Sequence, residues 1–521
     1  MKKLDKVALF KNVGSSWFAL GVNIVVGILL SPYILHHLGD DAFGLWVLIF
    51  SITGYYGLFD LGIRSSIVRY VATYSATRDH EELNRLLSTA LVSYSGIGAV
   101  AILITLAGSY YVDSIFRVSP DFQHNARLLF LIVGSAVALG FPVGVFGGVL
   151  EGLQRFYLLN FTSVSATLLR AFLIVLALHR GYGLLTVALV TVCMPVISGL
   201  VNAIVVFGIL PLRISLTHVH RDSLRRIATY SSSTFIIIVA VRLRFKTDAM
   251  IIGKFLSAAA ITYFTIGSRL VDYADEVVSG LAQVFVPMSS KSDATGDLAG
   301  LRRIFVAGNR ACALIIFPMA AILIILGKSV IEAWVGRRYI ATSYPVMLVL
   351  LIPTTLMLAQ SASGRVLFGM AKHKTLAIVT LLEGGANVFL SILLVRRFGI
   401  LGDAVGTGIP LACTTLFFLP RHLCHVLKLR LGLYLREAFF LPLMLCAPLV
   451  AVLLLMRHWF VAHNYLQLAI QLLIGSAVYG VGLLWAIWMR KVWQVEGIHD
   501  EDTANKVAVD LIETYQHEEE F

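Results

Sequence analysis

The chain has 521 residues, 58% hydrophobic and only 14% charged, with a formal net charge of +12 and a mean hydropathy of +0.84. A soluble domain is near half apolar and a quarter charged, so this composition excludes a soluble enzyme or binding module and leaves a chain whose excess apolar surface faces lipid. Its five cysteines (Cys193, Cys312, Cys413, Cys424, Cys446) are scattered without metal-ligand spacing and read as small buried hydrophobes.

Residues 1–11 form a short basic lead. The apolar run after it is too long for a signal-peptide core, so it predicts a retained first span. Apolar segments long enough to cross a bilayer follow at roughly 11–36, 43–65, 87–112, 126–150, 156–179, 183–210, 227–253, 258–286, 303–327, 342–368, 375–395, 399–420, 438–457 and 464–489. The prediction is an all-α polytopic membrane protein of about fourteen transmembrane helices.

The first twelve segments form two copies. Leu83 to Arg85 fall on Leu301 to Arg303, an offset of 218 residues. At the same offset Leu150 to Phe156 fall on Phe368 to Lys374, and Gly181 and Val187 fall on Gly399 and Val405. Six segments per copy is an even number, so both copies share one orientation. This is the parallel pseudo-twofold repeat of a transporter, with a substrate site expected near the midplane between the halves. The expected domains are a six-helix lobe at 1–212, a second at 213–430, two added helices at 431–490 and an acidic tail at 491–521.

Alternate connections differ in basic charge. One side carries 24 Lys and Arg residues and the other 10, which puts both termini in the cytoplasm. The same rule accounts for the basic loops without nucleic acid. The last thirty residues hold nine acids against Lys506. This tail reads as solvated, or as docking on the basic loops through a short amphipathic stretch at Ala504 to Tyr515.

Eight basic residues fall inside apolar segments: Arg64, Arg170, Arg242, Arg244, Lys246, Arg269, Arg310 and Arg365. A charge at the centre of a membrane helix costs about 2.5–3.5 kcal/mol on insertion scales, so such residues normally face an interior cavity. Their sign points to an anionic ligand. In segment eight, Arg269, Asp272, Glu276 and Gln283 share an arc of about 60°; this is a cavity-lining stripe, a self-neutralising ladder, or both. In segment seven, Arg242 and Lys246 share a face with no local counter-charge, whereas Arg244 and Asp248 are spaced to pair. In segment two, Tyr56, Asp60 and Arg64 follow at four-residue steps, and Arg64 is near enough to the membrane edge to snorkel. Glu383 and Asn387 lie one turn apart in segment eleven, as oxygen ligands for a proton or Na⁺ or as a hydrogen-bonded helix contact.

The candidate cationic cavity therefore comprises Arg64, Arg242, Lys246, Arg269, Arg310 and Arg365, with Tyr56, Asp272, Glu276 and Gln283 as polar lining. No nucleophilic triad and no phosphate-binding loop of the full Gly-x-x-x-x-Gly-Lys-Ser/Thr form is present, which argues against an enzyme and an ATP-driven pump. No cofactor is expected.

Three stretches carry a resemblance: Leu58-Phe59-Asp60-Leu61-Gly62-Ile63 with Arg69-Tyr70-Val71-Ala72, then Gly148-Val149-Leu150-Glu151-Gly152-Leu153-Gln154-Arg155-Phe156, then Thr247 to Leu256. In their order and helix count they resemble the Wzx-type polysaccharide-transporter flippases of the MATE/MOP superfamily, over essentially residues 5–490. The resemblance implies two six-helix lobes around a central cavity. It implies movement of undecaprenyl-pyrophosphate-linked oligosaccharides from the cytoplasmic to the outer leaflet, for O-antigen, capsule or exopolysaccharide synthesis. It also implies a cytoplasmic (inner) membrane location, with membrane lipids and a polymerase or export complex as partners. Similar lipid flippases place cavity arginines on helices 1, 2 and 8. Arg64 and Arg269 match two of these, but segment one has only Asn23 near its middle. Some relatives hold a cation between helices 7, 11 and 12, where Asp248, Glu383, Asn387 and Thr407 fall here, with the acid and amide of segment eleven in the opposite order. H⁺ and Na⁺ both stand as coupling ions.

Rival readings are a multidrug or organic-cation exporter of the same superfamily, which would want an acidic or aromatic cavity, and a membrane glycan polymerase or glycosyltransferase, which would carry a large external loop. The longest external connection, roughly Tyr111 to Gln123, is short.

Overall fold

The computed structural model describes residues 3–220, 222–226, 239, 242, 247–372, 374–459 and 465–489, with the backbone alone for residues 3–10. No strand occurs among the described residues. The expected Lys246 and Arg244, most of segment seven and the acidic tail lie outside them.

The first copy runs through α1 (Lys3–Leu38), α2 (Asp40–Gly54), α3 (Ile63–Thr77), α4 (His80–Ile115), α5 (Gln123–Gly152), α6 (Phe156–His179) and α7 (Leu184–Ile209). The second segment is therefore a broken helix. A 3₁₀ turn at Tyr55–Asp60 and two left-handed residues, Leu61 and Gly62, separate α2 from α3. The Leu58 to Ile63 stretch of the resemblance is this break. Beyond it, the Ile67, Leu87, Val149 and Val206 side chains of α3, α4, α5 and α7 close one apolar core.

The second copy continues through α8 (Asp248–Phe255), α9 (Ala258–Ala282), α10 (Phe285–Ala294), α11 (Leu298–Val335), α12 (Ile340–Ala359), α13 (Ser361–Gly369), α14 (Lys374–Cys413) and α15 (Leu419–Val426). Forty residues of α14 exceed any bilayer at 1.5 Å rise per residue. The helix folds back at Gly399, whose φ of +59° suits glycine. A π turn at Thr414–Phe418 joins α14 to α15. The added pair is α16 (Leu431–Trp459) and α17 (Tyr465–Trp488).

Eleven described stretches are long and apolar enough to cross a membrane. The fourteen expected segments reduce to these for three reasons. Segment seven is mostly outside the described residues, and segments eleven and twelve form one stretch, Lys374–Val426. Segment eight carries Arg269, Asp272, Asp275 and Glu276 at its middle. Outward-facing Phe161, Ile204, Leu473 and Leu484 are mostly exposed, as a lipid-facing surface requires.

The repeat is written in the backbone. Arg78 and Gly296 are both left-handed, and the carboxylates of Asp79 and Asp297 next to them each accept from a main-chain N–H three residues on. Gly181 and Gly399 are left-handed at the same offset of 218. One register differs from the sequence reading. The turn after α5 closes with Arg155 N–H donating to Leu150 O, and the turn after α13 with Lys372 N–H donating to Leu367 O. These match at 217, so one residue is lost and regained across the fourth and fifth helices. Low identity hid this slip, because a one-residue shift changes few matches.

The chain packs as two compact units. The first holds residues 1–270, 334–349 and 377–410, and the second 271–333, 350–376 and 411–521. These units cut across the sequence repeat within α9 and α14.

Candidate functional site

The first unit contains a buried polar cluster where α8 meets the two arms of α14. It forms because Gly406 lets the arms touch: a Cβ there would lie 2.5 Å from the Ser391 amide nitrogen. Ser391 Oγ then lies 3.0 Å from Asn387 Oδ1 and 3.2 Å from the Asp403 carbonyl. Thr407 Oγ1 lies 2.9 Å from Asn387 Oδ1 and 3.1 Å from Asp248 Oδ1. Its single proton serves one acceptor at a time. Glu383 is one turn before Asn387 and 4% exposed.

Three of the expected ion-site residues, Asp248, Asn387 and Thr407, are thus brought together. Sequence reading missed Ser391 and Asp403. Asp403 has no exposed surface, and neither carboxylate oxygen has a hydrogen-bond partner among the described residues. An ionised carboxylate so placed is costly, on the order of several kcal/mol, unless a cation or proton accompanies it. The available signal was an acid between two glycines, Gly402 and Gly406, one turn after Gly399; its nearness to a chain reversal made it look like a loop charge.

The expected cationic residues differ in their surroundings. Arg64, on α3, is half-exposed and held by Glu151 of α5, with Nη2 to Oε1 at 2.6 Å and Nε to Oε2 at 3.3 Å. Its four-residue neighbour Asp60 instead accepts from the Tyr94 hydroxyl. Arg242 lays its guanidinium over the 3₁₀ turn, where a Cβ on Gly57 would come within 2.7 Å of Nη2. The Tyr55 hydroxyl reaches Thr247 Oγ1 at 2.7 Å and fixes the chain on either side. No side-chain hydrogen bond or ion pair ties the Arg242 guanidinium to a described residue. Arg269 lies at the middle of α9, half-buried, and the stripe after it is open: Asp272 and Gln283 are exposed and Glu276 is partly so, while Ala274, Val278 and Ala282 are buried.

In the second unit Arg310 is 3% exposed. Its Nε donates to the Glu437 carbonyl at 2.7 Å and its Nη2 to Glu437 Oε2 at 3.1 Å. It therefore serves as a buried tie between α11 and α16 and does not line a cavity. The reason is the thirteenth helix, whose Glu437 supplies the counter-charge that the two copies lack. Arg365, on α13, is half-buried with no hydrogen bond or ion pair among the described residues. Tyr56 is also a core residue instead of a cavity wall. It is 5% exposed, and its hydroxyl pairs with Thr105 Oγ1 at 2.8 Å.

The model of one family, described as polysaccharide biosynthesis protein, matches residues 37–344, more than half of the chain. The chain belongs to this family. Among members and relatives, a Shigella flexneri protein described as an O-antigen transporter is 21% identical over 408 residues, covering 77% of this chain and 95% of its own length. The uncharacterized membrane protein EpsK of Bacillus subtilis (strain 168) is 23% identical over 427 residues, covering 80% of this chain and 83% of its own. The fold is similar to that of the lipid II flippase MurJ in an inward closed conformation, at a TM-score of 0.69 and 15% identity, covering 92% of this chain and 99% of that one. It is also similar to an inward-facing multidrug MATE transporter of the MOP superfamily, at 0.65 and 15% identity, covering 78% and 94%. The two solved neighbours are described as a flippase and a transporter, and this chain shares their all-α polytopic fold.

Proposed function

We propose that the protein flips undecaprenyl-pyrophosphate-linked oligosaccharide units across the cytoplasmic membrane, with both termini cytoplasmic, for O-antigen, capsule or exopolysaccharide synthesis. The observation that carries this reading is Arg242, a guanidinium in a membrane body with no acid bound to it among the described residues. A pyrophosphate leaving water needs cations to replace its hydration, and arginine offers planar paired donors. Arg269 and Arg365 add to the same sign of charge. Arg64 joins them if phosphate displaces Glu151. The S. flexneri relative's description fits the substrate class.

Transport is coupled to H⁺ or Na⁺ at Asp248, Asn387, Ser391, Asp403 and Thr407, with Glu383 adjacent. The cluster has the donors for either ion: two carboxylates, an amide oxygen and two hydroxyls. Neither coupling chemistry needs a further cofactor.

Native mass spectrometry of the purified protein tests the substrate class. Wild type is expected to retain added undecaprenyl-pyrophosphate oligosaccharide, and Arg242→Gln to retain at least tenfold less while staying monodisperse. Equal retention of an uncharged polyprenol by wild type would remove the pyrophosphate from the account.

A further inference from the structure

We infer that Asp40 is the latch of an external gate: one carboxylate ties the two copies together at their outer end, and releasing it tips the protein toward an outward-open state. Asp40 is the first residue of α2, and its side chain is 16% exposed. Its side-chain donors among the described residues come from the second copy. Oδ1 accepts from Tyr339 Oη at 2.6 Å and from Arg338 Nη2 at 3.0 Å, and Oδ2 accepts from Tyr263 Oη at 3.1 Å. The Asp40 carbonyl accepts from Thr262 Oγ1 at 2.6 Å. All five residues belong to the first unit.

Local sequence adds further contacts at this end. Pro32, inside α1, has no N–H to give the Ile28 carbonyl four residues back. The Trp334 indole takes that place, with Nε1 donating to Ile28 O at 2.7 Å. One turn along α2, Gly44 lets the helix meet the start of α9: a Cβ there would lie 1.8 Å from the Ala258 carbonyl oxygen. In the loop after α4, the Arg117 N–H donates to Gly253 O, in α8, at 2.9 Å. The first unit takes α9 only as far as Leu270 and α12 only as far as Val349; the rest of both helices falls in the second unit. The first copy is thus joined to one half of each helix.

The chemistry of the tie suits a contact that opens and closes. Bonds to a carboxylate are charge-assisted and strong while dry, and Tyr339 has no exposed surface. Yet hydroxyls, a guanidinium and a carboxylate exchange protein partners for water at small net cost. Three donors share one acceptor, so loss of a single charge weakens all three bonds together. The Arg338 side chain is 60% exposed, which makes it the weakest partner. A transporter built from two copies must part them at the outer end to release its cargo, while their inner ends close. That this end faces outward rests on the flippase reading and its topology; the tie itself does not.

Hydrogen–deuterium exchange of the full-length protein in lipid nanodiscs tests the latch, for wild type, Asp40→Asn, Tyr339→Phe and Arg338→Gln. Asp40→Asn is expected to speed exchange about tenfold at residues 41–48 and 258–266. It is expected to slow exchange at the repeat-related inner turns, residues 150–156 and 367–372, because the inner ends close as the outer ends part. That reciprocal slowing marks a gate, since weakening a local contact speeds exchange near it and protects nothing elsewhere. Tyr339→Phe is expected to give the same pattern at smaller amplitude, and Arg338→Gln the smallest. If Asp40→Asn fails to fold, Tyr339→Phe carries the test. Faster outer exchange with unchanged inner turns, or faster exchange throughout with a lower Tm, would mark Asp40 as a structural tie and overturn the latch. Unchanged exchange in both Asp40→Asn and Tyr339→Phe would overturn it as well. No substrate enters this measurement, so its failure leaves the flippase reading standing, and that reading fails separately if wild type does not flip lipid in proteoliposomes.

Discussion

Arginines of the same sequence type have different fates in this fold. Arg310 is closed off by Glu437, and losing one partner of a buried pair typically costs about 3–5 kcal/mol. Glu437→Gln is therefore expected to lower the Tm by several degrees in a thermal-shift measurement. Arg242→Gln is expected to leave it unchanged, because no described partner is lost. A stable Glu437→Gln protein would show that the carboxylate adds little to the tie, which the Arg310 bond to the residue 437 carbonyl and packing then hold. In the ion cluster, Asp403→Asn is expected to abolish the dependence of transport on the Na⁺ or H⁺ gradient, measured as the ratio of flipping rates with and without it. Ser391→Ala is expected to weaken ion dependence about tenfold, equivalent to about 1.4 kcal/mol for one polar contact. Asn387 was legible in the sequence as a polar residue inside an apolar run, whereas Asp248 and Thr407 entered the ion site only through the resemblance. Asp403 and Ser391 were not legible, because their role depends on the two arms of α14 meeting, which no spacing within either arm reveals.

At the scale of elements, glycine decides where helices break and touch. Gly406→Val would force its side chain into the Ser391 backbone, so it is expected to separate the arms of α14. Loss of several kcal/mol is expected, read as poor recovery in fluorescence-detected size exclusion, with ion dependence lost first in milder Gly406→Ala. A second tie joins α1–α2 to α9 and the region before α12. Asp40 accepts from Tyr339 Oη at 2.6 Å, from Arg338 Nη2 at 3.0 Å and from Tyr263 Oη at 3.1 Å. The added helices are bound through polar contacts as well. Tyr434 is fully buried, and its hydroxyl lies 3.1 Å from Asn309 Nδ2. The order of the apolar spans and many of their boundaries were legible from apolar length, and eleven stretches of the fourteen expected segments are long and apolar enough among the described residues. The break in the second segment and the reversal at Gly399 were visible as glycines, but their geometry was not. The 3₁₀ turn at Tyr55–Asp60 follows from tertiary contacts, Tyr56 with Thr105 and Tyr94 with Asp60, that local propensity does not encode.

For the whole molecule, the proposed topology rests on the distribution of basic residues and on the parallel repeat. Tags at either end are expected to be cleaved by protease only from the cytoplasmic side of sealed vesicles; cleavage of the two from opposite sides would contradict an even number of spans. The repeat was legible at an offset of 218, and its capping aspartates and left-handed turns hold to it, while the turn after the fourth helix of each copy slips to 217. Membership in the polysaccharide biosynthesis family and the MurJ-like and MATE-like fold agree with that architecture. The most direct measurement is flipping itself: fluorescent undecaprenyl-pyrophosphate oligosaccharide in proteoliposomes, scored by a membrane-impermeant quencher under imposed Na⁺ or H⁺ gradients. Wild type is expected to make the lipid accessible well above empty liposomes, faster under one gradient, with Arg269→Gln reduced to background. Wild type at background with folded protein, or Arg269→Gln at the wild-type rate, would contradict the account.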